Sequence, residues 1–298
     1  MARRRKGIPI HGWLNIDKPS GMTSAAVVNK VRWITKAQKA GHAGTLDPFA
    51  TGVLPIALGE ATKTIPFIVD EIKEYEFTAC WTDERNTDDI EGQVTETSEY
   101  RPSLTDIERC IPLFKGSITQ VPPAFSAIKI NGERAYKLAR KGEDVAMPER
   151  TVEIYELDLL EIPDSEHARF HVQCSKGTYI RALARDFARK LGGVAHLSQL
   201  RRKKVGPFLE ESAISLDKLE KLWQCPAEFE DLLPLTTALD DIPAVAITET
   251  QAIRVRHGND VAVPNTADGI VCAMDSDGPV SISKVENGIL YPIRVFNI

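Results

Sequence analysis

The stretch Gly41-His42-Ala43-Gly44-Thr45-Leu46-Asp47-Pro48-Phe49-Ala50-Thr51-Gly52 is the part of this chain best suited to chemistry. Its glycines allow tight backbone paths and close approach of a ligand. Pro48 keeps the backbone of Asp47 extended or in a turn, so the carboxylate stands on a stiff support. A carboxylate so placed could act as a nucleophile, a general base or a cap. Most Asp-Pro pairs only start turns, and spacing alone does not choose among these roles. Arg181, Arg185 and Arg189 recur every four residues and share one helix face. Such a row forms either a solvated ridge or an edge that faces phosphates.

Other chemistries lack their signatures. There is no G-x-G-x-x-G after a strand, no G-x-x-x-x-G-K-[ST], no H-E-x-x-H and no G-x-S-x-G. Any chemistry is therefore expected to use ordinary side chains, with no cofactor. The cysteines at 80, 110, 174, 225 and 272 are odd in number and form no C-x-x-C clip. They read as free, buried thiols of a cytoplasmic protein. His167 and His171 lie four apart in a segment that alternates like a strand, and the sequence offers no nearby third ligand, so no metal is expected.

These residues must be positioned by regular elements. Residues 12–17 read as a short strand, and Thr23 or Ser24 caps a helix with Val27, Val31 and Ile34 on one face. Residues 41–52 read as loop. The alternation of Tyr75, Phe77, Ala79 and Trp81 predicts a strand over 73–82. A helix is expected over 104–114. A strand over 126–130, an Asn131-Gly132 turn and a helix over 133–140 follow. Strands are expected near 151–161 and 167–174. The helix over 178–191 has an apolar stripe of Ile180, Leu183, Ala184, Phe187 and Leu191, with Thr178 as its cap and Gly192-Gly193 as its end. A basic strand follows at 200–204, and 208–243 reads as an acidic connecting segment. Short strands at 244–247, 261–263, 270–274, 280–284 and 289–295, with a helix over 249–257, suggest a small β-rich module. Strands and helices without a βαβ rhythm predict an α+β main body. The expected division is 1–243 and 244–298.

The chain has 298 residues, of which 43% are hydrophobic and 27% charged, which argues against disorder or a collagen-like scaffold. The apolar run at 53–58 is far too short for a membrane span. The N-terminal Met-Ala-Arg-Arg-Arg-Lys is not followed by the apolar region of a secretory signal. The net charge of -5 argues against a nucleic-acid partner, but its distribution does not. Residues 1–42 and 176–204 each hold nine Lys/Arg against one acid, while 83–109 and 208–242 each hold nine acids. A phosphate polymer responds to the local field rather than to the total.

Gly41-His42-x-Gly44-Thr45-Leu46-Asp47-Pro48-x-Ala50-x-Gly52 resembles the catalytic motif of TruB-type pseudouridine synthases, the bacterial tRNA pseudouridine-55 synthases. Four further stretches resemble the family's motifs, in its order. They are Gly12-Trp13-Leu14-Asn15-Ile16-Asp17-Lys18-Pro19-Ser20-Gly21-Met22-Thr23-Ser24; Val121-Pro122-Pro123-Ala124-Phe125-Ser126-Ala127-Ile128-Lys129 with Gly132 and Ala135-Tyr136; Cys174-Ser175-Lys176-Gly177-Thr178-Tyr179-Ile180-Arg181-Ala182-Leu183-Ala184-Arg185-Asp186; and Leu200-Arg201-Arg202. Residues 244–298 are similar to its PUA-type RNA-binding module. One departure is Arg85-Asn86, where the family usually has the first of two Thr-Asp pairs.

The resemblance implies a mixed, largely antiparallel sheet flanked by helices. It implies that uridine 55 in the T-arm loop of tRNA is flipped out and isomerised without cofactor or metal. It makes Asp47 the catalytic carboxylate and Arg181 its counter-charge. Tyr75 would stack on the uracil, Leu200 would wall the base, and Tyr179 would join the substrate-binding set. His42 would hold neighbouring loop nucleotides, and Lys18 and Pro19 would support the loop. The two basic stretches would hold phosphates. A monomer is expected, and an RNA-binding or tRNA-folding protein with secondary isomerase activity is the competing reading.

Overall fold

A single strand pairing explains why the reactive loop is rigid at both ends. In the computed structural model, which describes residues 7–126, 128–130, 132–140, 146–224 and 230–298, β1 (Gly12–Lys18) runs antiparallel to β3 (Thr51–Leu58). Between them lie α1 (Ser24–Thr35) and the short β2 (Ala40–His42). The Thr23 side chain caps α1 by accepting from the Ala26 N–H, as expected of a helix N-cap. Val27, Val31 and Ile34 are buried on its inner face. The reading of 41–52 as all loop needs correction. His42 ends β2 and Thr51 begins β3, because the backbone around His42 pairs with Ile56 across the turn.

A helix, α2 (Ile65–Asp70), leads into β4 (Lys73–Cys80), and β5 (Asp83–Arg85) and β6 (Val94–Thr97) form a small hairpin. The helix expected over 104–114 is α3 (Leu104–Cys110) followed by a 3-10 turn, with Pro112 at the junction. β7 (Gly116–Gln120) precedes β8 (Lys129–Ile130) and β9 (Glu133–Arg134), two short paired strands. α4 (Ala135–Arg140) follows directly, so the residues before 135 belong to a hairpin rather than to the helix. Ala127 and Asn131, which the strand and turn expectations include, lie outside the described residues, as do residues 1–6 and Cys225.

β10 (Arg150–Asp164), β11 (His167–Cys174), α5 (Ile180–Leu191), β12 (His196–Val205) and β13 (Phe208–Leu209) complete the main body. The sheet order is β1-β3-β12-β4-β11-β10-β7, with β2 on β3 and β13 on β12. All these pairs are antiparallel except β3 with β12. The architecture is α+β. Alternation in β4 decides its two faces: Tyr75, Phe77 and Ala79 are buried, while Glu74 and Glu76 meet Gln173, Arg169, Lys203 and Lys204 on the other side.

The apolar stripe of α5 covers the first face. Phe187 meets Phe170 edge-on at 5.5 Å, and Phe170 stacks on Phe77 at 5.2 Å. Gly192, in the left-handed conformation at φ 87°, ends the helix. Thr178 does not cap it. Its hydroxyl donates to the Ser175 carbonyl, and Tyr179 occupies the cap position with its N–H bonded to Gln120 Oε1 at 3.1 Å.

The segment 208–243 is more than a connector. It carries α6 (Leu216–Leu222), packed against α1, and Leu233 exchanges backbone hydrogen bonds with Trp13. Beyond it, β14 (Ala244–Ala246), α7 (Glu249–Arg256), β15 (Val261–Ala262), β16 (Gly269–Asp275), β17 (Gly278–Glu286) and β18 (Ile289–Val295) build a separate five-stranded sheet. That sheet shares a buried apolar cluster with the main body, in which Cys272, Ile282 and Phe296 join Trp13, Val53 and Phe208. No helix among the described residues is long and apolar enough to cross a membrane.

Gly52 shows how closely the parallel pair is set. Its φ is +98°, and a Cβ there would lie 2.2 Å from the Arg202 carbonyl oxygen. Gly52→Ala is expected to destabilise the chain by about 1–3 kcal/mol, read as a lowered thermal midpoint. An unchanged midpoint would show that the β3–β12 contact yields easily.

Candidate active site

The loop carrying Asp47 is tied to the β1–α1 junction by buried hydrogen bonds. The Leu46 N–H donates to Ser24 Oγ at 2.9 Å, and that hydroxyl donates to the Leu46 carbonyl at 3.0 Å. Lys18 is fully buried and its ammonium donates to the carbonyls of Pro19, Pro48 and Ala50 at 2.9, 3.0 and 2.6 Å. Burial holds this lysine down at about 8, and it spans the two sides of the loop as a brace.

Arg181, in the first turn of α5, reaches the loop. Its Nη2 donates to Asp47 Oδ1 at 3.0 Å, and its Nε lies within ion-pair distance of Oδ2, 2.9 Å away, without making a hydrogen bond to it. The same side chain donates to the carbonyls of Thr87 at 2.7 Å and Phe125 at 3.0 Å, and its Nη1 lies 3.1 Å from Asp89 Oδ2. Burial raises the Asp47 pKa and is the largest influence on it. Arg181 opposes that rise, and the charge of Asp89 adds to it.

Asp47, Tyr75, Tyr179, Arg181 and Leu200 line one cavity of about 230 Å³. Its other walls include Lys73, Ser126, Lys176 and Arg202. Tyr75 and Leu200 project from the same sheet face, and burial raises the Tyr75 pKa, so the phenol keeps its proton at neutral pH. His42 is not part of this wall. It ends β2, and burial lowers its pKa, which favours the neutral ring.

The Arg85-Asn86 departure is accommodated locally. Arg85 donates to Asp83 Oδ2 and to the Ile90 carbonyl, and Asn86 Oδ1 accepts from the Gln93 N–H. Thr87 donates to Asp89 Oδ1 at 2.6 Å. The loop thereby presents the Thr87 carbonyl and the Asp89 carboxylate to Arg181. Asp89, Lys73, Ser126 and Arg202 were not singled out from the sequence. Ser126 and Arg202 fall inside two of the family-like stretches, while Asp89 follows the Thr-Asp pair that remains after the Arg85-Asn86 departure.

The arginine row is not a continuous solvated ridge: its first two members are buried and only Arg189 is exposed. Arg181 and Arg185 are 3% and 8% exposed, and Arg185 bridges Asp88 and Asp186 at 2.9 Å each. Arg189 pairs with Glu84 at 2.7 Å. On the neighbouring strand Arg201 bonds Asp17 and Glu210, and Lys203 and Lys204 face Glu210 and Glu74. Much of the basic stretch 176–204 is therefore neutralised, by Glu84, Asp88 and Asp89 of one acidic stretch, by Glu210 of the other and by Asp17, Asp47, Glu74 and Asp186 elsewhere, and it does not offer its full charge to phosphates. The expectation of no third ligand near His171 also needs correction. Antiparallel pairing of β10 with β11 sets Asp158 opposite His171, and Glu156, Asp158 and His171 place ligand atoms within 4.8 Å of one another. His167 instead bonds Asp164. Cys80, Cys110, Cys174 and Cys272 are free and buried.

Residues 32–180 match the family described as TruB family pseudouridylate synthase (N terminal domain), and 181–241 match the tRNA pseudouridylate synthase B C-terminal domain. The chain is 49% identical over 322 residues to tRNA pseudouridine synthase B of Brucella anthropi, with 99% of each chain covered. It is 47% identical over 309 residues to the protein of that name from Caulobacter vibrioides, with 100% of each covered. A similar solved structure is that of an H/ACA RNP bound to a substrate RNA containing 2'-deoxyuridine. The TM-score is 0.74 at 27% identity, covering 100% of this chain and 92% of that one.

Proposed function

Because the chain belongs to the TruB family of pseudouridylate synthases, we propose that it converts uridine 55 in the T-arm loop of tRNA to pseudouridine. The observation that carries this reading is the Asp47 carboxylate, ion-paired and hydrogen-bonded to Arg181 in a cavity walled by Tyr75 and Leu200. The target base must leave its stack to enter such a cavity, which costs a few kcal/mol. Asp47 then meets the ribose, either bonding to C1′ or removing the C2′ proton. Arg181 keeps that carboxylate charged against the effect of burial. The reaction moves one bond from N1 to C5 without net oxidation or reduction, so no redox cofactor is called for.

Tyr75 offers its ring to the flipped uracil and its phenol to proton transfer at C5. Tyr75→Phe keeps the ring and removes the proton. It is expected to lower the single-turnover rate by about 10²-fold with little change in tRNA affinity. A loss in affinity alone would assign Tyr75 to binding only. Tyr179 shapes the rim beside the helix start, and His42 meets neighbouring loop nucleotides. Residues 1–243 serve catalysis and 244–298 contact RNA. The chain acts as a monomer in the cytoplasm. The RNA-bound structural relative supports an RNA substrate.

The test is an unmodified tRNA transcript incubated with the protein and nothing else, followed by mapping of pseudouridine. Modification is expected at position 55 alone. Modification elsewhere would overturn the assigned position, and release of free uracil would overturn isomerisation.

A further inference from the structure

Two buried cations in the cavity form no ion pair among the described residues, although the charges of Glu71 and Asp70 act on Lys73 from further away. Arg202 is 1% exposed and Lys73 is 7% exposed. Arg202 donates from Nε to the Val53 carbonyl at 2.7 Å and from Nη2 to the Gly44 carbonyl at 3.1 Å. Lys73 donates to the carbonyls of Val69 and Glu71. Among the described residues neither is ion-paired, whereas Arg181, Arg185, Arg201, Lys203 and Lys204 all are. A buried charge without a counter-charge is costly. Here two of them share one wall, and burial together with Arg202 already depresses Lys73 to about 8.

Their placement follows from the sheet. Lys73 and Tyr75 are two residues apart on β4, and Arg202 lies opposite Tyr75 on β12. Alternation puts all three on the face that also carries Leu200. The expected base-stacking residue therefore sits between two positive groups. Ser126 Oγ lines the same cavity, is buried and has no hydrogen-bond partner among the described residues, which points independently to a polar ligand there.

We propose that Lys73 and Arg202 hold the detached uracil as its anion. The proposal rests on the reading of this cavity as the place where uridine is isomerised. When the C1′–N1 bond breaks, its electron pair goes to N1, and the base becomes a monoanion with charge spread over N1, O2 and O4. C1′ is satisfied by a bond from the Asp47 carboxylate or by loss of the C2′ proton to it. After the base turns, C5 supplies the pair for the new bond to C1′ as the C1′–Asp47 bond breaks and returns its pair to the carboxylate, or as C2′ regains its proton from Asp47; the C5 proton then leaves to a base, and N1 gains a proton. A guanidinium does not give up its proton, so Arg202 stabilises the anion without quenching it. The three donors of Lys73 on a flexible stem can follow O2 or O4 as the ring rotates.

The experiment uses the full chain and two tRNAs, one with uridine and one with 5-fluorouridine at the target position. Fluorine withdraws electrons and stabilises the detached anion by itself. Lys73→Met is expected to slow single-turnover loss of the N1 glycosidic bond by about 10²-fold on uridine. The defect should shrink to about tenfold or less on 5-fluorouridine, with tRNA affinity nearly unchanged. Arg202→Lys, which keeps a charge, serves as the second variant if Lys73→Met does not fold. It should show a smaller defect with the same dependence on the base. Equal slowing on both substrates, a normal rate on uridine, or a loss of affinity alone would overturn the proposal. Asp47→Asn is run alongside. If it stays active, the reading of the cavity fails. If it is inactive while the cation variants behave normally, only the anion proposal fails.

Discussion

Asp47→Asn is expected to reduce pseudouridine formation by about 10⁴-fold or more while leaving the fold intact. The amide is nearly isosteric, but it can neither bond to C1′ as a nucleophile nor take a proton from C2′. Stability should be preserved, and the sign follows from titration. Burial raises the Asp47 pKa in the folded chain, so folding disfavours the ionised form relative to the unfolded state. A neutral replacement removes that burden, and Arg181 keeps Asp89 and the Thr87 and Phe125 carbonyls as partners. The thermal midpoint should be at or above that of the parent, and tRNA should still bind. Pseudouridine formed at the parent rate would remove Asp47 from the chemistry. Retained binding with no product separates an enzyme from a protein whose main work is to bind or fold tRNA.

Arg181→Met is expected to damage both stability and catalysis. The guanidinium neutralises Asp47 and Asp89 together, and Asp89 is 2% exposed. Removing one partner from a buried ion pair costs about 3–5 kcal/mol. The single-turnover rate should fall by about 10³-fold, since the carboxylate loses both its orientation and its counter-charge. The residual activity carries a distinct signature. Asp47 must be ionised, so the rate falls as pH drops through its raised pKa. Arg181 holds that pKa down in the parent, so its loss moves the acid limb of the pH–rate profile to higher pH. Arg181→Lys keeps one charge but not the guanidinium geometry, and its limb should fall between the two. A limb that does not move would mean that Arg181 matters only for folding.

Much of this arrangement is legible in the chain itself, and the reasons are local. The apolar stripe of α5 and the alternation of β4 each repeat at the period of their element, so they mark which face is buried. The glycines and Pro48 around Asp47 mark a stiff loop for the same kind of reason. Failures occurred where a local signal competed with a distant one. Thr178 looked like a cap, but Gln120 of β7 satisfies the backbone at Tyr179 instead. His42 looked like loop, but its strand register is decided by Ile56. Residues 208–243 showed little periodicity because part of that segment is held by backbone pairing to Trp13 rather than by a repeating apolar face.

By itself the sequence determined the chemical inventory: one carboxylate on a rigid loop, one arginine in the first turn of an amphipathic helix, and aromatic and apolar residues on strands. Only the tertiary structure decided which charges cancel. Periodicity is a property of neighbours along the chain, whereas ion pairing depends on distance through space and on the water excluded between the partners. Arg185 and Asp88 are 97 residues apart in sequence and 2.9 Å apart in the fold. The same geometry leaves Lys73 and Arg202 without an ion pair among the described residues, and no count of lysines, arginines and carboxylates along the chain distinguishes those two from the rest.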